Sequence, residues 1–367
     1  MAKNSNEIIQ KVDRIHSYPA KFTINLAMEY IQKYSNEGDV VYDPFAGSGT
    51  TLLGSSLLKR VSFGTDINYI AVLISEFKLN DLSKEQVLTL KKFIAQFERN
   101  WQTECESVER FNYPSIEHWF CEDSIILLSY IKSLIEKIDD EKCKTFCKLV
   151  FSAIVNNASN QESDTRYAAI YKQSVNKEYV AKIFIKKFNS TLELMKNLER
   201  DPKVLKSSNI YLHDSKKCSE VIKENSVDLI LTSPPYPNTY DYYLYHKHRM
   251  NWLGYDVKFS MEKEIGSRRE FSSLKHPKEK FDEDMFEIFA ECNKLLKKGG
   301  VVVLVMGDGK ISGVTYEAKS NMERICKPLG WEPIDYSFTM LDDTSRSFTK
   351  SYRTTGKKEH IIVFKKQ

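Results

Sequence analysis

The sequence predicts an α/β protein with a mostly parallel sheet flanked by helices, and with a helical insertion near the middle of the chain. Two observations carry this prediction. Apolar, strand-like stretches alternate with helical patterns at both ends of the chain, and this alternation is typical of a parallel sheet whose strands are joined by helices. Between about residues 80 and 200, apolar residues recur at helical spacings, and no strand of comparable quality separates them.

The predicted elements follow one another in three groups. The first group contains helix 23–35, strand 39–45, a helix from 48 to 60 and strand 61–67, followed by a further helix. The middle group contains helices 83–101, 124–138, 142–158 and 177–198. The last group contains strands 209–215 and 227–232, helix 281–300, strand 301–308, helix 316–330, and strands 332–340 and 360–366. We therefore assign 1–80 and 207–367 to one domain and 81–206 to a helical insertion.

The composition is that of a soluble globular protein. Of 367 residues, 41% are hydrophobic and 28% are charged, which is sufficient for a sizeable core. No apolar run is long enough for a membrane span, and the N-terminal stretch lacks the apolar region of a secretory signal. The seven cysteines are odd in number and irregular in spacing. They favour reduced thiols in the cytoplasm and no metal site.

Charge is informative only locally, because the formal net charge is only +4. Two segments are basic, KHPKEK (275–280) and SRSFTKSYRTTGKK (345–358), and the second interleaves Phe348 and Tyr352 with its bases. Such segments suit a nucleic-acid backbone. From charge alone, a solvated protein surface is the alternative explanation.

The most informative stretch of the N-terminal third is VVYDPFAGSGTTLL, residues 40–53. An apolar strand ends at Asp43, Gly47 and Gly49 follow in a predicted turn, and a helix then begins. Glycines let a ligand approach the backbone, and open α/β sheets bind ligands at such strand ends. The lysine and hydroxyl residue of a phosphate-binding loop are absent. A carboxylate beside the turn therefore favours a cationic or amine-bearing ligand over a pyrophosphate.

Two further carboxylates end predicted strands. Asp66 ends the second strand, at the place where nucleoside-binding sheets hold a ribose hydroxyl. Asp214 ends a later strand, where it would meet an adenine amine. Each of these aspartates, taken alone, could instead cap a helix. Together with the glycine turn, the three carboxylates predict a pocket for an adenosine that carries a positive charge.

Four segments carry a resemblance to a known family. The motifs DPFAGSGT (43–50) and TSPPY (232–236) resemble the cofactor and catalytic motifs of the S-adenosylmethionine-dependent DNA amino-methyltransferases. RIHSYPAKFTINLAMEYI (14–31) is similar to the family's segment that closes over the methionine end of the cofactor. KKGGVVVLVMGDG (297–309) resembles a later strand of the family.

The resemblance covers roughly residues 12–80 and 207–310. It implies a Rossmann-like class I methyltransferase fold, with S-adenosylmethionine as the cofactor. Family members place their target-recognition segment at different points in the chain. The insertion 81–206 is therefore a candidate DNA-recognition region, and the rest forms the catalytic domain.

The resemblance also assigns two sets of site residues and no metal ligand. The catalytic motif is Ser233, Pro234, Pro235 and Tyr236. The implied cofactor-binding residues are His16, Pro19, Lys21, Asp43, Pro44, Phe45, Ala46, Gly47, Gly49, Thr50, Asp66, Ile67 and Asp214.

The residue types of the catalytic motif suit one kind of chemistry. An exocyclic base amine is a poor nucleophile because its lone pair is delocalised into the ring. The Ser233 hydroxyl and the Pro234 carbonyl can each accept one hydrogen bond from that amine, and the proline rings hold the carbonyl rigidly. Tyr236 would stack on the base, which must leave the duplex to reach such a pocket.

We therefore predict a cytosine-N4 methyltransferase that acts on double-stranded DNA by base flipping. It would belong to a restriction-modification or defence system whose other proteins are its candidate partners. In the family, the serine-first motif is commonest in N4-cytosine enzymes, and the forms with aspartate or asparagine first are commonest in N6-adenine enzymes. Adenine N6 is thus the main alternative. An RNA guanine-N2 methyltransferase ranks lower, and a catalytically silent DNA-binding protein is the alternative from another class.

Carbon-5 methylation is disfavoured on independent grounds. That chemistry needs a cysteine nucleophile, usually preceded by proline, and the sequence contains no Pro-Cys pair. The sequence makes no prediction of the oligomeric state.

Two segments are candidates for DNA contact. The stretch 237–254 interleaves aromatic residues with bases, which suits DNA beside a flipped nucleotide. The tyrosines of this first segment could instead pack in the core. The second segment is the polar break 159–169, which lies between two predicted helices and could instead be an ordinary connection between them. The residues expected to contact DNA are Arg166, Tyr240, Tyr243, Lys247 and Arg249.

Overall fold

The computed structural model describes residues 2–340 and 358–367, with side chains from residue 5 onward. Most of the basic segment 345–358, including Phe348 and Tyr352, lies outside the described residues. Within the described ranges, no helix has the length and apolar character needed to cross a membrane. The chain forms two compact units.

The strands and helices are numbered in chain order. The strands are β1 Val40–Asp43, β2 Val61–Asp66, β3 Gln161–Ser163, β4 Arg166–Ala169, β5 Asn209–Leu212, β6 Val227–Thr232, β7 Leu296–Gly307, β8 Gly309–Ile311, β9 Val314–Tyr316, β10 Trp331–Met340 and β11 Lys358–Lys366. The helices are α1 Ala2–Asp13, α2 Ile24–Tyr34, α3 Thr50–Leu57, α4 Tyr69–Leu79, α5 Lys84–Glu104, α6 Ile116–Trp119, α7 Glu122–Glu136, α8 Glu141–Val155, α9 Lys177–Lys196, α10 Pro202–Ser207, α11 Tyr242–Tyr245, α12 Lys247–Leu253, α13 Val257–Lys263, α14 Lys278–Leu295 and α15 Ala318–Cys326.

The first unit, called here the sheet unit, comprises Pro19–Ser75, Arg200–Tyr242 and Ser260–Gln367. It contains a seven-stranded sheet with the order β10-β11-β7-β6-β1-β2-β5. Neighbouring strands from β5 through to β7 are parallel, whereas β11 is antiparallel to both β7 and β10. Every strand of this sheet except β11 therefore runs in the same direction. The predicted α/β fold with a mostly parallel sheet is confirmed.

Helices cover both faces of this sheet. On one face, α14 and α15 pack against alternate residues of the central strands, such as Leu304 and Ile362, in a continuous apolar core. On the opposite face, Tyr30 of α2 hydrogen-bonds Ser337 of β10 at 3.1 Å. Ser337 pairs with Ile361, and the side chains of Ile361 and Ile362 point to opposite faces because successive residues of a strand alternate. Burial on both faces explains why β7 reads as a nearly continuous apolar run in the sequence.

The second unit, called here the helical unit, comprises Met1–Tyr18, Glu76–Glu199 and Tyr243–Phe259. Its long helices α5, α7, α8 and α9 match the four helices predicted for the insertion and confirm them. Polar side chains begin three of them, with Ser83 in a capping box and with Asp140 and Asn176 as caps. Aromatic rings fill the core, as where Phe97 meets Phe184 with ring centroids 5.0 Å apart.

The helical unit differs from the sequence prediction in two ways. The polar break 159–169 contains a short antiparallel hairpin of β3 and β4, whereas the sequence predicts no strand there. The stretches Met1–Tyr18 and Tyr243–Phe259 belong to this unit, although the sequence assigns them to the other domain. Contacts between distant parts of the chain, such as the buried ion pair of Lys78 with Asp13 at 3.0 Å, determine this assignment.

Candidate active site

The glycine turn follows β1, at the point where the strand order changes direction. From β1 the sheet continues to β2 and β5 on one side and to β6 and β7 on the other, and open α/β sheets bind ligands at such a switch point. Gly47 and Gly49 have positive φ angles of 49° and 71°. A Cβ added to Gly49 would lie 2.7 Å from Ser75 Oγ. The turn therefore needs glycine at position 49 for both conformation and space.

Buried hydrogen bonds join the glycine turn to the end of β6. The Thr232 hydroxyl donates to Asp43 Oδ1 at 2.6 Å, and the Thr51 hydroxyl donates to the Leu231 carbonyl at 3.1 Å. Asp43 is only 2% exposed and also accepts the Phe45 amide at 3.1 Å. The two motifs identified in the sequence thus lie at adjacent strand ends of one sheet.

Asp66, at the end of β2, holds the glycine turn from another direction. Its Oδ2 accepts the Gly47 amide at 2.8 Å, and its Oδ1 accepts the Asn68 amide at 2.8 Å. Asp214 follows β5 and accepts the Lys216 amide at 3.1 Å. Because β1, β2 and β5 are parallel, the three predicted carboxylates lie along the same edge of the sheet.

For two of these carboxylates, hydrogen bonds only partly compensate for the burial of the negative charge. Burial raises the pKa of Asp43 to about 6, although hydrogen bonds from Thr232, Thr51 and the Phe45 amide act in the opposite direction. Burial likewise raises the pKa of Asp66 to about 6, and the nearby charge of Asp43 adds to the rise. A cation or a hydroxyl donor placed against these groups would stabilise their charged forms.

The Ser-Pro-Pro-Tyr loop follows β6 and packs closely against a glycine. A Cβ built on Gly307, the last residue of β7, would lie 2.9 Å from Tyr236 Cε2. Only a glycine leaves room for the ring at this position. Pro234 is buried, whereas Ser233 and Tyr236 are half-buried. The loop therefore keeps two of its functional side chains partly accessible on a buried support.

Further contacts fix the chain beyond Tyr236. The Asn238 amide donates to the Gly266 carbonyl at 2.8 Å, and the Glu270 carboxylate accepts the Gly266 amide at 2.5 Å. A Cβ built on Gly309 would lie 2.8 Å from Pro237 Cγ. These contacts give the loop the fixed backbone that preorganised catalysis requires.

Tyr236 is held by its hydroxyl as well as by its ring. The hydroxyl donates to Glu359 Oε1 on β11 at 2.9 Å, and the nearby Ser233 hydroxyl acts to lower the pKa of the phenol. Burial, together with the charge of Glu359, raises the pKa of Tyr236 well above its ordinary value. Sequence reasoning missed Glu359 because it is far from the motif in the chain. It also missed Thr232, which directly precedes the Ser-Pro-Pro-Tyr motif.

The other predicted cofactor and DNA residues of the sheet unit differ in accessibility. Pro44 is buried, and its carbonyl accepts the Ser215 hydroxyl at 2.5 Å. Tyr240, which is expected to contact DNA, is only 7% exposed. Ala46 and Thr50 are buried, whereas the half-buried residues are Pro19, Lys21, Phe45, Ile67 and Pro235.

His16 and Arg249 lie in a buried polar network of the helical unit. Arg249 is 1% exposed, forms an ion pair with Asp164 and donates to the Ser152 carbonyl at 3.1 Å. His16 Nε2 lies 3.0 Å from the Ser152 hydroxyl. Burial and then the charge of Arg249 lower the pKa of His16 to about 3. The Arg249 guanidinium is thus engaged inside the helical unit, and its expected contact with DNA stays a prediction.

Three other predicted DNA-contact residues group around the hairpin of the helical unit. The Arg166 side chain on β4 is 64% exposed and pairs with Glu162 at 2.8 Å. The Lys247 ammonium lies 5.6 Å from the centroid of the Tyr167 ring. Burial is the main cause of the raised pKa of Tyr167, and Tyr243 is close enough to add to it. These residues form a mixed basic and aromatic group, called here the hairpin cluster.

The strand order of the sheet, with the glycine turn at its switch point, is that of the Rossmann-like class I methyltransferase fold. The family follows from a sequence match, because the model of the DNA methylase family matches residues 2–76 and 227–367. The chain belongs to the DNA methylase family, whose cofactor is S-adenosylmethionine. The predicted family and cofactor are thus confirmed. The unmatched interval 77–226 contains the long helices of the helical unit.

Named relatives extend this comparison. The chain is similar to the type II methyltransferase M.MvaI of Kocuria varians, with 29% identity over 280 residues that cover 69% of this chain and 59% of the relative. It is also similar to the type II methyltransferase M.MjaII of Methanocaldococcus jannaschii, with 22% identity over 397 aligned positions, 84% of this chain and 74% of the relative. Among solved structures, TrmN from Thermus thermophilus matches over 99% of this chain and 53% of its own, with 11% identity and a TM-score of 0.38.

Proposed function

We propose that the chain is a DNA methyltransferase that methylates the exocyclic N4 amine of cytosine within a specific sequence of double-stranded DNA. The observation that carries this proposal is the Ser-Pro-Pro-Tyr loop, held at the end of β6 by hydrogen bonds to the glycine turn. Serine at the first position of the motif supports cytosine over adenine through the resemblance given above. Relatives that are type II methyltransferases support a role in restriction-modification, with a nuclease as partner.

The residues at the strand ends fit S-adenosylmethionine. The carboxylate of Asp43 suits the positively charged part of the cofactor, Asp66 suits its ribose hydroxyls, and Asp214 suits its adenine amine. The raised pKa values of Asp43 and Asp66 support this assignment, because both groups lack full compensation. When bound, this cofactor supplies a methyl group that is already activated by a positively charged sulfur.

Ser233 and Pro234 act on the base. By accepting both hydrogens of the amine, the hydroxyl and the carbonyl favour a pyramidal nitrogen whose lone pair is available for attack. The buried position of Pro234 keeps that carbonyl in place, so the electrostatic arrangement needs no reorganisation during the reaction. Tyr236, which is half-buried, stacks on the extruded base through its ring, a contact worth about 1–3 kcal/mol.

The helical unit supplies DNA contacts through the hairpin cluster. Arg166 and Lys247 are suited to phosphate oxygens, and the aromatic rings of Tyr167 and Tyr243 are suited to bases or sugars. Among the residues expected to contact DNA, Arg166, Lys247 and Tyr243 support this proposal better than Arg249, which is buried.

Methyl transfer to DNA is tested with cofactor that carries a tritiated methyl group. The protein is incubated with DNA from a host that lacks base methylation, and the product is digested to nucleosides and separated by chromatography. We expect label in N4-methylcytosine. Label only in N6-methyladenine would make the cytosine assignment wrong, and label in RNA guanine but not in DNA would make the DNA assignment wrong.

Cofactor affinity is expected to fall as the pH falls through 6. Asp43 and Asp66 have pKa values raised to about 6, so both are ionised at higher pH and protonated at lower pH. Each carboxylate that must be ionised for binding weakens affinity about tenfold between pH 7 and pH 5. Calorimetric titration of the free protein over this range measures the effect, and Asp66→Asn should show weaker binding with a shallower pH dependence. A constant affinity would contradict the assigned roles.

Gly307→Ala is expected to slow methyl transfer without weakening cofactor binding. The added methyl would lie 2.9 Å from Tyr236 Cε2, so the ring must move away from its place beside Ser233. A small displacement of a positioning group costs roughly tenfold or more in rate. Single-turnover transfer measures the loss, and cofactor affinity is the control, since Asp43 and Asp66 are untouched. An unchanged rate would show that the position of the ring is not critical.

A further inference from the structure

Three neighbouring polar side chains of the sheet unit form a line that begins at the catalytic motif. The Ser233 hydroxyl lies near enough to the Tyr236 hydroxyl to act on the pKa of that phenol, and the Tyr236 hydroxyl donates to Glu359 Oε1 at 2.9 Å. Glu359 is half-buried, so part of its surface reaches solvent. The line therefore joins a group proposed to touch the reacting amine to a carboxylate that can exchange protons with water.

Methylation of an amine creates a need for such a line. The bond that forms joins the base nitrogen to the methyl carbon, and the bond that breaks joins that carbon to sulfur, which keeps the electron pair. As the new bond forms, the nitrogen develops a positive charge and holds one proton more than the neutral product, so removal of that proton during the transfer stabilises the transition state. The thioether formed is a weak base, so this proton must pass to the protein or to water.

We propose that Glu359 accepts this proton through Ser233 and Tyr236. The amine nitrogen gives its proton to Ser233 Oγ, Ser233 passes its own proton to the Tyr236 oxygen, and Tyr236 passes its proton to Glu359 Oε1. The carboxylate becomes a carboxylic acid, which later releases the proton to water. The proposal rests on the proposed function, because it needs an amine as the methyl acceptor.

The state of Tyr236 is compatible with this transfer. Burial, with the neighbouring carboxylate, raises the pKa of the phenol well above its ordinary value. Tyr236 therefore stays protonated at neutral pH. It passes a proton on by accepting one from Ser233 while it donates its own to Glu359, so it never becomes a phenolate. Its ring is fixed against Gly307, which keeps the hydroxyl between its two partners.

The groups that face Glu359 come from β7, from β10 and from the catalytic loop. Glu359 pairs with Gly307 of β7 and with Thr339 of β10, neither of which carries an ionisable side chain. It also accepts the hydroxyl of Tyr236 in the catalytic loop. Tyr240 lies close enough to raise the pKa of that hydroxyl. On β11, the neighbours of Glu359 are Lys358 and His360. Lys358 is engaged with the Phe338 ring, 4.5 Å from its centroid. His360 hydrogen-bonds Asp308 at 3.0 Å and Tyr336 at 2.8 Å.

The test compares Glu359→Gln with Glu359→Ala in single-turnover methyl transfer at saturating cofactor, over a range of pH. Glutamine can still accept the Tyr236 hydrogen bond but cannot take up a proton. We expect both variants to be about 100-fold slower than the unmodified protein at neutral pH. We also expect the rate of the unmodified protein to fall at low pH and both variants to lose that fall.

Two further variants keep the result interpretable. Tyr236→Phe interrupts the line at its middle and should be at least as slow as Glu359→Gln, and combining the two changes should add little. Glu332→Gln removes an exposed carboxylate of β10 that bonds Gln367 at 2.8 Å and should leave the rate unchanged. Melting temperature and cofactor affinity verify that each variant is folded. If one variant is not folded, the remaining variants still test the proposal.

The outcomes separate the two proposals. If Glu359→Gln retains the normal rate and pH profile while Glu359→Ala is slow, Glu359 only positions Tyr236 and the proton transfer is wrong. If both variants are as fast as the unmodified protein, the line has no role. If the unmodified protein methylates no DNA at all, the proposed function fails, and the proton transfer fails with it.

Discussion

Ser233→Ala is expected to slow single-turnover methyl transfer roughly 100-fold while the affinity for S-adenosylmethionine stays the same. The serine hydroxyl is one of two acceptors proposed for the amine, and its removal leaves the lone pair more strongly delocalised in the transition state. The cofactor carboxylates are not touched, because Asp43 is held by Thr232 rather than by Ser233. The loss should therefore appear in the transfer rate and not in cofactor binding.

A matched variant controls for the loss of a hydroxyl elsewhere in the same unit. Ser219 donates to Glu291 Oε2 at 2.5 Å and has no part in the proposed site, so Ser219→Ala should leave both transfer rate and cofactor affinity unchanged. Rapid-quench measurement of labelled DNA gives the rates, and calorimetry gives the affinities. A Ser233→Ala protein with the normal rate would show that the amine does not depend on this hydroxyl.

The parts of the fold that the sequence predicts well are those determined by neighbouring residues. The strand with Asp43, the glycine turn and the apolar run of β7 carry local patterns, and the structure has them. The short hairpin β3–β4 escaped prediction because three or four residues per strand are too few for a visible alternation. Helix α1 also escaped, since its place depends on contacts such as Lys78 with Asp13.

The candidate site shows the same division between local and long-range information. Asp43, Asp66 and Ser233 stand in recognisable motifs at strand ends, which made them predictable. Glu359 became visible only when β11 was found beside β7, with Glu359 paired to Gly307. The environment of Arg249 was equally hidden, because its partner Asp164 lies in another part of the chain. A basic residue beside aromatic residues predicts a nucleic-acid contact only if it is exposed.

Gly49→Ala is expected to destabilise the protein and to weaken cofactor binding. An L-residue at φ 71° costs about 1–2 kcal/mol. The added methyl would also lie 2.7 Å from Ser75 Oγ and 2.9 Å from Ser75 Cα, and crowding of a packed interior adds about 1–3 kcal/mol. The backbone of α4 cannot yield as a flexible side chain can, so the free energy of unfolding should fall by roughly 2–5 kcal/mol.

Gly38→Ala separates the two causes of this loss. Gly38 has an equally unfavourable φ of 88°, but nothing lies within 4 Å of its added Cβ. Its free energy of unfolding should therefore fall only by the conformational part, about 1–2 kcal/mol, with no change in cofactor affinity. Urea unfolding of both variants beside calorimetry measures the difference. Equal losses in the two proteins would mean that the close approach of Gly49 to Ser75 does not constrain the turn, and that conformation alone requires glycine there.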